Sequence, residues 1–306
     1  MAKTPFTNLD KVFWPKEGYT KGDVIAYYER IADWILPYLK DRPMVLNRHP
    51  NGIKGPSFFQ KNVNQVQLPP FVKSVAIRAE STGRDVHYVV CNNKDTLLYL
   101  ANLGCIEMHP WNSRTKSMHK PDYLVIDLDP GNNSFDEVVV VAQAVRGAIE
   151  SAGGRSYAKT SGKTGLHVYV PLGARYDFVE VRAAARELAE AVYRELPHLT
   201  SLERHPAKRR GKIYLDYLRN SVGQTLAAPF SLRAYAGATV SEPLAWTEVK
   251  KGLRPSQFTI ETIFRSLRKR SELWEPVLAK GVDLRDMMQR LQRSASTAAA
   301  AQRPKG

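Results

Sequence analysis

The stretch that most constrains this chain is Tyr123-Leu124-Val125-Ile126-Asp127-Leu128-Asp129-Pro130, in which strand-forming apolar residues end in two carboxylates. Side chains alternate between the two faces of a strand, so Asp127 and Asp129 point to the same side. The opposite side carries Leu124, Ile126 and Leu128. The stretch therefore predicts a buried strand with a charged end.

The two carboxylates need a partner. Like charges this close repel each other and a buried, unpaired carboxylate is costly, so the pair requires a cation or a proton. A divalent metal is the simplest choice, because Mg²⁺ and Mn²⁺ take oxygen ligands and keep positions open for water and phosphate. The same residues also fit the solvated end of a strand that enters a turn at Pro130-Gly131-Asn132.

Two further segments favour the metal interpretation. Residues 212–218 form a strand-like stretch that carries one carboxylate, Asp216, although a lone polar residue on an exposed face would give the same pattern. Residues 160–171 form a turn of small residues with Lys163, followed by a strand that carries His167. Such a turn can offer backbone amides and a lysine to phosphate oxygens. Together these residues predict a metal-dependent phosphoryl-transfer site.

The charge of the chain indicates a polyanionic partner. It has 45 Lys and Arg against 30 Asp and Glu, a formal net charge of +15. Basic charge of this size provides affinity for nucleic-acid phosphates, although it also aids solubility. The densest cluster, Lys208-Arg209-Arg210, leads directly into the strand with Asp216. Basic residues beside candidate metal ligands favour phosphate binding over a merely solvated loop.

Several classes of protein are excluded. With 306 residues and 43% hydrophobic content, the chain can form a real core as one large domain or two lobes. It has no apolar stretch of membrane-span length and no apolar signal core, so we expect a cytoplasmic protein without a membrane partner. Cys91 and Cys105 cannot form a zinc framework and are expected to pack as small apolar residues. Gly162-Lys163-Thr164 is not a P-loop, because Tyr157 stands where that motif needs glycine.

The rest of the chain alternates strands and helices without an internal repeat. Thr20 with Asp23, and Ser134 with Glu137, form capping boxes that predict helix starts. We expect a mixed α/β arrangement around a mainly antiparallel sheet. The alanine-rich end is low in complexity and is expected to be flexible.

Two adjacent aromatic residues allow two interpretations, and one histidine is assigned to the core. Phe58 and Phe59 are adjacent and flanked by polar and basic residues, so they either stack on nucleic-acid bases or pack in two separate layers. His109 ends a short strand-like segment and, on the residues alone, is interpreted as a polar core residue.

Four motifs occur in an order that resembles a known family. They are Ile126-Asp127-Leu128-Asp129-Pro130, Ser161-Gly162 with Gly165-Leu166-His167, Tyr214-Leu215-Asp216-Tyr217, and Pro229-Phe230-Ser231-Leu232-Arg233. With this set the chain resembles, over about residues 6–290, the polymerase domain of bacterial ATP-dependent DNA ligase D, of the archaeo-eukaryotic primase superfamily. Asn8-Leu9-Asp10-Lys11-Val12 and Pro56-Ser57-Phe58-Phe59 resemble its N-terminal signatures.

The resemblance implies an α+β primase-polymerase fold, with mainly antiparallel central sheets flanked by helices in two interlocked lobes. We therefore expect a primase-polymerase domain over residues 1–292. Its N-terminal lobe would cover about residues 1–115 and its catalytic lobe about residues 116–292, with a flexible tail or linker at 293–306.

The resemblance also implies a nucleotidyltransferase, a template-directed DNA/RNA polymerase that fills short gaps at breaks during non-homologous end joining and often prefers ribonucleotides. Asp127, Asp129 and Asp216 would hold two metal ions, Mn²⁺ or Mg²⁺, that activate the primer 3′-hydroxyl and stabilise the pyrophosphate leaving group. The NTP or dNTP would be held by Ser161, Lys163, His167, Arg233 and His109.

Several DNA contacts are implied as well. The downstream 5′-phosphate would lie at Asn8, Lys11 and Lys21, and template bases at Phe58 and Phe59. Further candidates for DNA binding are Arg48, Lys208, Arg209 and Arg210. A DNA ligase and a Ku-type end-binding protein are the implied partners, and the implied location is the nucleoid.

The chain departs from many members of that family at two positions. Lys163, the basic residue of the phosphate turn, stands one position early, and Asn47 stands where some members have a basic residue. Two other functions use the same residues. A metal-dependent nuclease needs the same carboxylates and basic surface, and a non-enzymatic DNA-end-binding module explains the charge but leaves three carboxylates facing a polyanion.

Overall fold

The computed structural model describes residues 5–79 and 82–301, and the side chains of those up to residue 294. This part of the chain contains six α-helices. They are α1 (Lys21–Leu39), α2 (Lys94–Asn102), α3 (Phe135–Ser151), α4 (Phe178–Glu195), α5 (Leu267–Trp274) and α6 (Leu284–Ala301). Short 3-10 helices lie at Thr115–Ser117, Pro206–Lys208, Trp246–Glu248, Pro255–Gln257, Thr262–Arg265 and Glu275–Leu278.

Eleven strands form three sheets in the same described residues. They are β1 (Met44–Arg48), β2 (Phe58–Gln60), β3 (Lys73–Arg78), β4 (Asp85–Val90), β5 (Cys105–Pro110), β6 (Tyr123–Asp129), β7 (Tyr157–Thr160), β8 (Leu166–Pro171), β9 (Thr200–Ser201), β10 (Ile213–Asp216) and β11 (Pro243–Leu244). The sheet orders are β2-β1-β5, β11-β7-β8-β6-β10-β9 and β3-β4. Every strand pair is antiparallel except β9 with β10. The predicted fold, mainly antiparallel sheets flanked by helices, is confirmed.

Strand β6 lies inside the six-stranded sheet and is covered on both faces. Tyr123 and Val125 belong to one hydrophobic core. Leu124, Ile126 and Leu128 belong to a second core that also contains α3 and α4. The predicted alternation of this strand is therefore confirmed, and it explains why β6 is buried until its last residue.

The first core interlocks distant parts of the chain. It combines α1, α2 and β5 with residues beyond β10, among them Leu232 and Trp274. Two hydrogen bonds connect residues after β10 to earlier parts of the chain. Tyr27 donates from its hydroxyl to the carbonyl of Phe230 (2.7 Å), and Trp274 Nε1 donates to the carbonyl of Ala158 (3.1 Å). The first lobe, proposed at about residues 1–115, thus shares its core with residues after β10.

Capping boxes start three of the helices. The amide of Asp23 donates to Thr20 Oγ1 (3.2 Å), and both halves of the predicted box are present at the start of α1. The predicted box of Ser134 at α3 is likewise confirmed. A third box, at Asp177 before α4, was not predicted. Each box satisfies amides that the first helical turn leaves unpaired.

The last helix reaches into the segment that we expected to be a tail. Helix α6 continues through Ala301 and so includes the first residues of the flexible tail or linker predicted at 293–306, which stays a prediction. Alanine has the highest intrinsic helix propensity, so the alanine-rich sequence extends the helix. Residues 302–306 of the predicted tail lie outside the described residues.

Cys91 and Cys105 are buried and free, as predicted. No helix within the described ranges is both long enough and apolar enough to cross a membrane.

A buried ion cluster beside β11 makes stability depend on pH. Arg270 contacts two carboxylates, Glu242 (Nε to Oε1, 2.5 Å) and Glu248 (Nη2 to Oε1, 2.9 Å). Burial raises the pKa of Glu242 to about 8; Arg270 opposes this rise and the charge of Glu248 adds to it. The unfolded chain titrates near the ordinary glutamate value, so the folded protein holds more protons between the two pKa values. This contribution to stability is present at low pH and is lost as the pH rises through about 8.

We expect the thermal unfolding midpoint to fall by roughly 3–6 °C between about pH 6 and pH 9. The variant Glu242→Gln cannot ionise and should remove most of this fall, as measured by calorimetry across the pH range. The control Glu272→Gln changes a surface carboxylate paired with Arg268 and should keep the wild-type curve. Identical curves for wild type and Glu242→Gln would contradict the assignment.

Candidate active site

Asp127 lies where three strands of the six-stranded sheet meet. In the register of β6 it is opposite Asp216 on β10 and opposite His167 on β8. His167 Nε2 is 3.4 Å from Asp127 Oδ1, and Asp127 is 8% exposed. The structure therefore brings together three residues that we predicted separately as site residues.

Arg219 lies between the two carboxylates and was not predicted. Its Nε is 3.2 Å from Asp127 Oδ2 and 3.1 Å from Asp216 Oδ2. The only signal in the sequence was its place three residues after Asp216. The guanidinium provides the positive charge that two adjacent carboxylates require.

Negative charge remains crowded at this point of the sheet. Burial raises the pKa of Asp127 to about 6; Arg219 works against this rise, while Asp216 and Asp129 add to it. The pKa of Asp127 stays raised because Arg219 does not fully offset burial and the charges of the two neighbouring carboxylates. The group would therefore gain from a further cation.

Asp129, at the exposed end of β6, is turned toward a different cation. Arg209 Nη1 is 3.0 Å from Asp129 Oδ2. In the described part of the chain, no three His, Cys, Asp or Glu side chains are grouped closely enough to hold a metal ion in this arrangement. The donor set itself fits Mg²⁺ or Mn²⁺, because it consists of carboxylate oxygens around incompletely compensated charge. Asp127 and Asp216 are the best-placed ligands, and Asp129 would have to leave Arg209.

The turn between β7 and β8 is closed by its own serine. Ser161 Oγ accepts hydrogen bonds from the amides of Lys163 (3.2 Å) and Gly165 (3.0 Å). These two amides are therefore bonded within the turn, and the offer of backbone amides to phosphate stays a prediction. Gly162 has φ +75°, and a Cβ there would come within 2.5 Å of Arg233 Cγ. Glycine at this position lets the arginine approach the turn.

These groups surround a cavity of about 340 Å³. The residues predicted to bind the nucleotide all line it: Ser161, Lys163, His167, His109 and Arg233. Asp127 and Asp129 border the same cavity from β6. Positively charged and neutral polar groups thus face the carboxylates across one space.

Three of the residues that line the cavity contact Glu107, a residue of β5 that we did not predict as part of the site. His109 Nε2 is 2.8 Å from Oε2, while Lys163 Nζ and Arg233 Nε are 3.0 and 3.1 Å from Oε1. The signal in the sequence was a charged residue inside an otherwise apolar strand, which is rare unless the charge is paired. His109 is therefore part of the cavity wall rather than only a polar core residue.

His167 adds no charge to the site. Burial lowers the pKa of His167 well below its ordinary value, and the charges of Lys159 and Arg233 lower it further. The imidazole is therefore neutral at physiological pH and can contact Asp127 as a hydrogen-bonding group.

A second basic cavity, of about 300 Å³, lies at the start of α1 and contains Asn8, Lys11, Lys21 and Arg48. Burial and the charge of Lys11 lower the pKa of Lys21. The hydrogen-bond acceptors of the three cations are neutral oxygens, namely Asn51 Oδ1 for Lys11 (2.5 Å), the carbonyl of Thr7 for Lys21 (2.6 Å), and the carbonyl of Leu103 for Arg48 Nε (3.1 Å). Their positive charge is therefore available to an anion.

The two adjacent phenylalanines are both exposed, Phe58 by 46% and Phe59 by 66%. They lie on β2, a three-residue strand at the edge of its sheet. The Arg48 guanidinium lies 5.2 Å from the ring centroid of Phe58, and Phe59 lines the cavity of Asp127. The alternative that the rings pack in two buried layers is wrong.

The basic run 208–210 borders a third cavity, of about 680 Å³, beside β9 and β10. Arg209 is engaged by Asp129, and its guanidinium carbon lies 4.2 Å from the ring centroid of Tyr214. Within this run, Lys208 and Arg210 are the cations left for a nucleic acid.

The fold and the site together define a nucleotidyltransferase of the primase-polymerase class, with carboxylates on a central strand facing a cation-lined cavity. Residues 20–274 match the family described as LigD, primase-polymerase domain. The chain belongs to this family, whose members are metal-dependent nucleotidyltransferases.

Individual relatives agree with this family. The chain is 37% identical over 269 residues to the bifunctional non-homologous end joining protein LigD of Bacillus subtilis, covering 87% of this chain and 43% of that protein. It is 31% identical over 245 residues to the multifunctional LigD of Pseudomonas aeruginosa, covering 80% of this chain and 29% of that protein. The chain thus spans less than half the length of these relatives. The polymerase domain of Mycobacterium tuberculosis ligase D, solved in complex with DNA, is similar with a TM-score of 0.84 at 28% identity, covering 92% of this chain and 100% of that one.

Proposed function

We propose that this chain is a template-directed DNA/RNA polymerase that fills short gaps at double-strand breaks during non-homologous end joining. The observation that carries the proposal is that Asp127, with Asp216 beside it, faces Lys163 and Arg233 across one cavity. Nucleotidyl transfer needs carboxylates near the reacting hydroxyl and cations near the leaving phosphates. The distribution of charge in the cavity meets both needs.

In this proposal the cavity holds an NTP or dNTP by its phosphates. Lys163 and Arg233 provide positive charge, and Ser161 and His109 provide hydrogen bonds. His167 remains neutral beside Asp127 and leaves the charge of that carboxylate to the metal site. These groups are held by strands and short turns, so little reorganisation is needed when a nucleotide arrives.

Asp127, Asp129 and Asp216 would hold two ions, Mn²⁺ or Mg²⁺, once Arg219 and Arg209 give up their contacts. When bound, the ions would supply Lewis-acid activation of the primer 3′-hydroxyl and compensation of the charge on pyrophosphate. The chain itself contributes the ionised carboxylates and keeps Asp127 next to Asp216 through the register of β6 and β10.

The DNA is proposed to lie across the surface that joins the three cavities. Lys11, Lys21 and Arg48 would bind a downstream 5′-phosphate, and the ring of Phe59 would stack on a template base near the nucleotide. Asn8, Phe58, Lys208 and Arg210 would add further contacts. The proposed partners are a DNA ligase and a Ku-type end-binding protein, and the proposed location is the nucleoid in the cytoplasm.

We further propose a preference for ribonucleotides. Asn47 Nδ2 donates to Glu107 Oε2 (3.3 Å), which turns Asn47 Oδ1 away from that carboxylate. This oxygen is buried and, within the described residues, has no hydrogen-bond partner. Asn47 lines the cavity, and its unpartnered acceptor would suit a ribose hydroxyl once the amide turns toward the nucleotide.

The test is the extension of a labelled primer across a short gap with a 5′-phosphate, with Mn²⁺ and either NTPs or dNTPs. We expect template-directed addition, faster with NTPs, that is lost in Asp127→Ala. Shortening of the strand in place of addition would indicate a nuclease. Tight binding with neither reaction would indicate a DNA-end-binding module.

A further inference from the structure

We propose that Glu107 is a positioning residue, which holds Lys163, Arg233 and His109 at the spacing that binds the triphosphate of the incoming nucleotide. This inference rests on the proposed function and deepens it by naming the residue that shapes the phosphate site. Glu107 is 2% exposed and lies in the middle of β5.

The contacts of Glu107 occupy the acceptor positions of both its carboxylate oxygens. Oε1 accepts hydrogen bonds from the amide of Ala234 (3.0 Å) and from Arg233 Nε, and it forms an ion pair with Lys163; Oε2 is hydrogen-bonded to Asn47 and His109. These five groups, four hydrogen-bonded and one in an ion pair, come from four separate parts of the chain. A carboxylate has about four lone-pair positions, so this one has no capacity left for a metal ion or a ligand. Its role in the cavity must therefore be exerted through its neighbours.

Glu107 is permanently charged. Burial by itself would raise the pKa of Glu107, but the hydrogen bond from His109 and the charges of Arg233 and Lys163 together hold it well below its ordinary range. A fixed negative charge inside an anion-binding cavity opposes the ligand directly. We explain its presence by its effect on Lys163 and Arg233, because the carboxylate offsets the repulsion between these two cations.

The cations keep donors free after Glu107 has been satisfied. A guanidinium has five N–H donors, and Arg233 uses Nε on Glu107 and Nη1 on the carbonyl of Ser161. An ammonium has three donors, and Lys163 directs one at Glu107 while its side chain is 36% exposed. Two anchors fix the plane of the Arg233 guanidinium, so its remaining donors have a defined direction. Preorganised donors of this kind bind phosphate oxygens without a further ordering cost.

A network that only stabilises the fold would share some of these features. Asp122 is the centre of such a network, because it is buried and contacts both Arg42 and Arg114. Those arginines lie outside the cavity of Asp127. Asp122 is therefore a matched control for the loss of a buried carboxylate that holds two cations.

The experiment compares Glu107→Gln with Asp122→Asn by calorimetric titration with inorganic tripolyphosphate, and by the KM and kcat of gap filling. For Glu107→Gln we expect tripolyphosphate affinity at least about 10-fold weaker and KM for NTP at least about 10-fold higher, with kcat changed less than about 3-fold. Affinity for gapped DNA should not change, because the 5′-phosphate cavity is separate. For Asp122→Asn both phosphate readouts should stay within about 2-fold of wild type.

A second variant keeps the test decisive if Glu107→Gln does not fold. Lys163 is partly exposed, so Lys163→Met is expected to fold and to lose at least about 10-fold in tripolyphosphate affinity. In the Lys163→Met background, Glu107→Gln should weaken binding much less than it does alone, because the two residues act together. Unchanged tripolyphosphate binding in either single variant, or none in wild type, would overturn this proposal. Wild-type protein that binds tripolyphosphate but adds no nucleotide would overturn the proposed function alone.

Discussion

Replacing Asp127 by asparagine is expected to lower the rate of nucleotide addition by at least about 1,000-fold, because the charge lost there is worth several kcal/mol to the transition state. Asparagine keeps the size of the side chain and can still contact His167, so the fold should be preserved. Affinity for gapped DNA should stay the same or rise, since a negative charge facing a polyanion has been removed. Single-turnover primer extension and fluorescence anisotropy measure the two effects.

The control for this prediction is Asp85→Asn, whose carboxylate is paired with Arg78 at the surface (3.4 Å). Its extension rate should equal that of wild type. Binding of Mn²⁺, followed by electron paramagnetic resonance, should weaken in Asp127→Asn and not in Asp85→Asn. Activity of Asp127→Asn within tenfold of wild type would exclude Asp127 as a metal ligand in the reaction.

Replacing Lys11 and Lys21 together by methionine is expected to remove the preference for a downstream 5′-phosphate. The two cations face one cavity and bond to neutral oxygens in the described part of the chain, so a phosphate there would receive two charge-assisted hydrogen bonds. We expect affinity for gapped DNA with a 5′-phosphate to fall roughly 100-fold, and affinity for the 5′-hydroxyl substrate to fall only a few-fold. The slope of log affinity against log salt should decrease by about 1 for each lysine.

Lys251→Met is the matched control, because Lys251 is exposed and lies outside the basic cavity at α1. It should change the salt dependence slightly and leave the preference for the 5′-phosphate intact. Equal affinity of wild-type protein for 5′-phosphate and 5′-hydroxyl substrates would remove this pocket from the proposal.

The parts of the fold that follow from local chemistry could be predicted. The alternation of β6 placed Leu124 and Ile126 in one core and Val125 in the other, because the period of a strand is a property of its backbone. The capping boxes of Thr20 and Ser134 were predicted because both halves of each box lie within four residues. Residues 256–292 show how proline interrupts such local patterns, because a short 3-10 segment containing Pro276 separates α5 from α6.

The parts of the candidate site that depend on distant pairing could not be predicted in this way. Glu107 acquires Lys163 and Arg233 as partners only when β5, the turn after β7 and the loop before β11 come together. Arg219 lies between Asp127 and Asp216 because β6 and β10 pair in one particular register. A shift of that register would separate the carboxylates, and nothing in the local sequence specifies it.

The contacts of Arg219 lead us to expect that this protein folds before it binds metal. Because the guanidinium already offsets part of the charge of Asp127 and Asp216, we expect the chain to reach its folded state without a bound metal ion. Many metal sites couple ion binding to folding, so that the empty protein is unstable and is degraded. For this protein we expect the amount of folded chain in the cell to depend on how much is synthesised. We expect the active fraction to depend on the concentration of free divalent ions. We therefore expect folded protein prepared without metal to become active when divalent ions are added, without new translation.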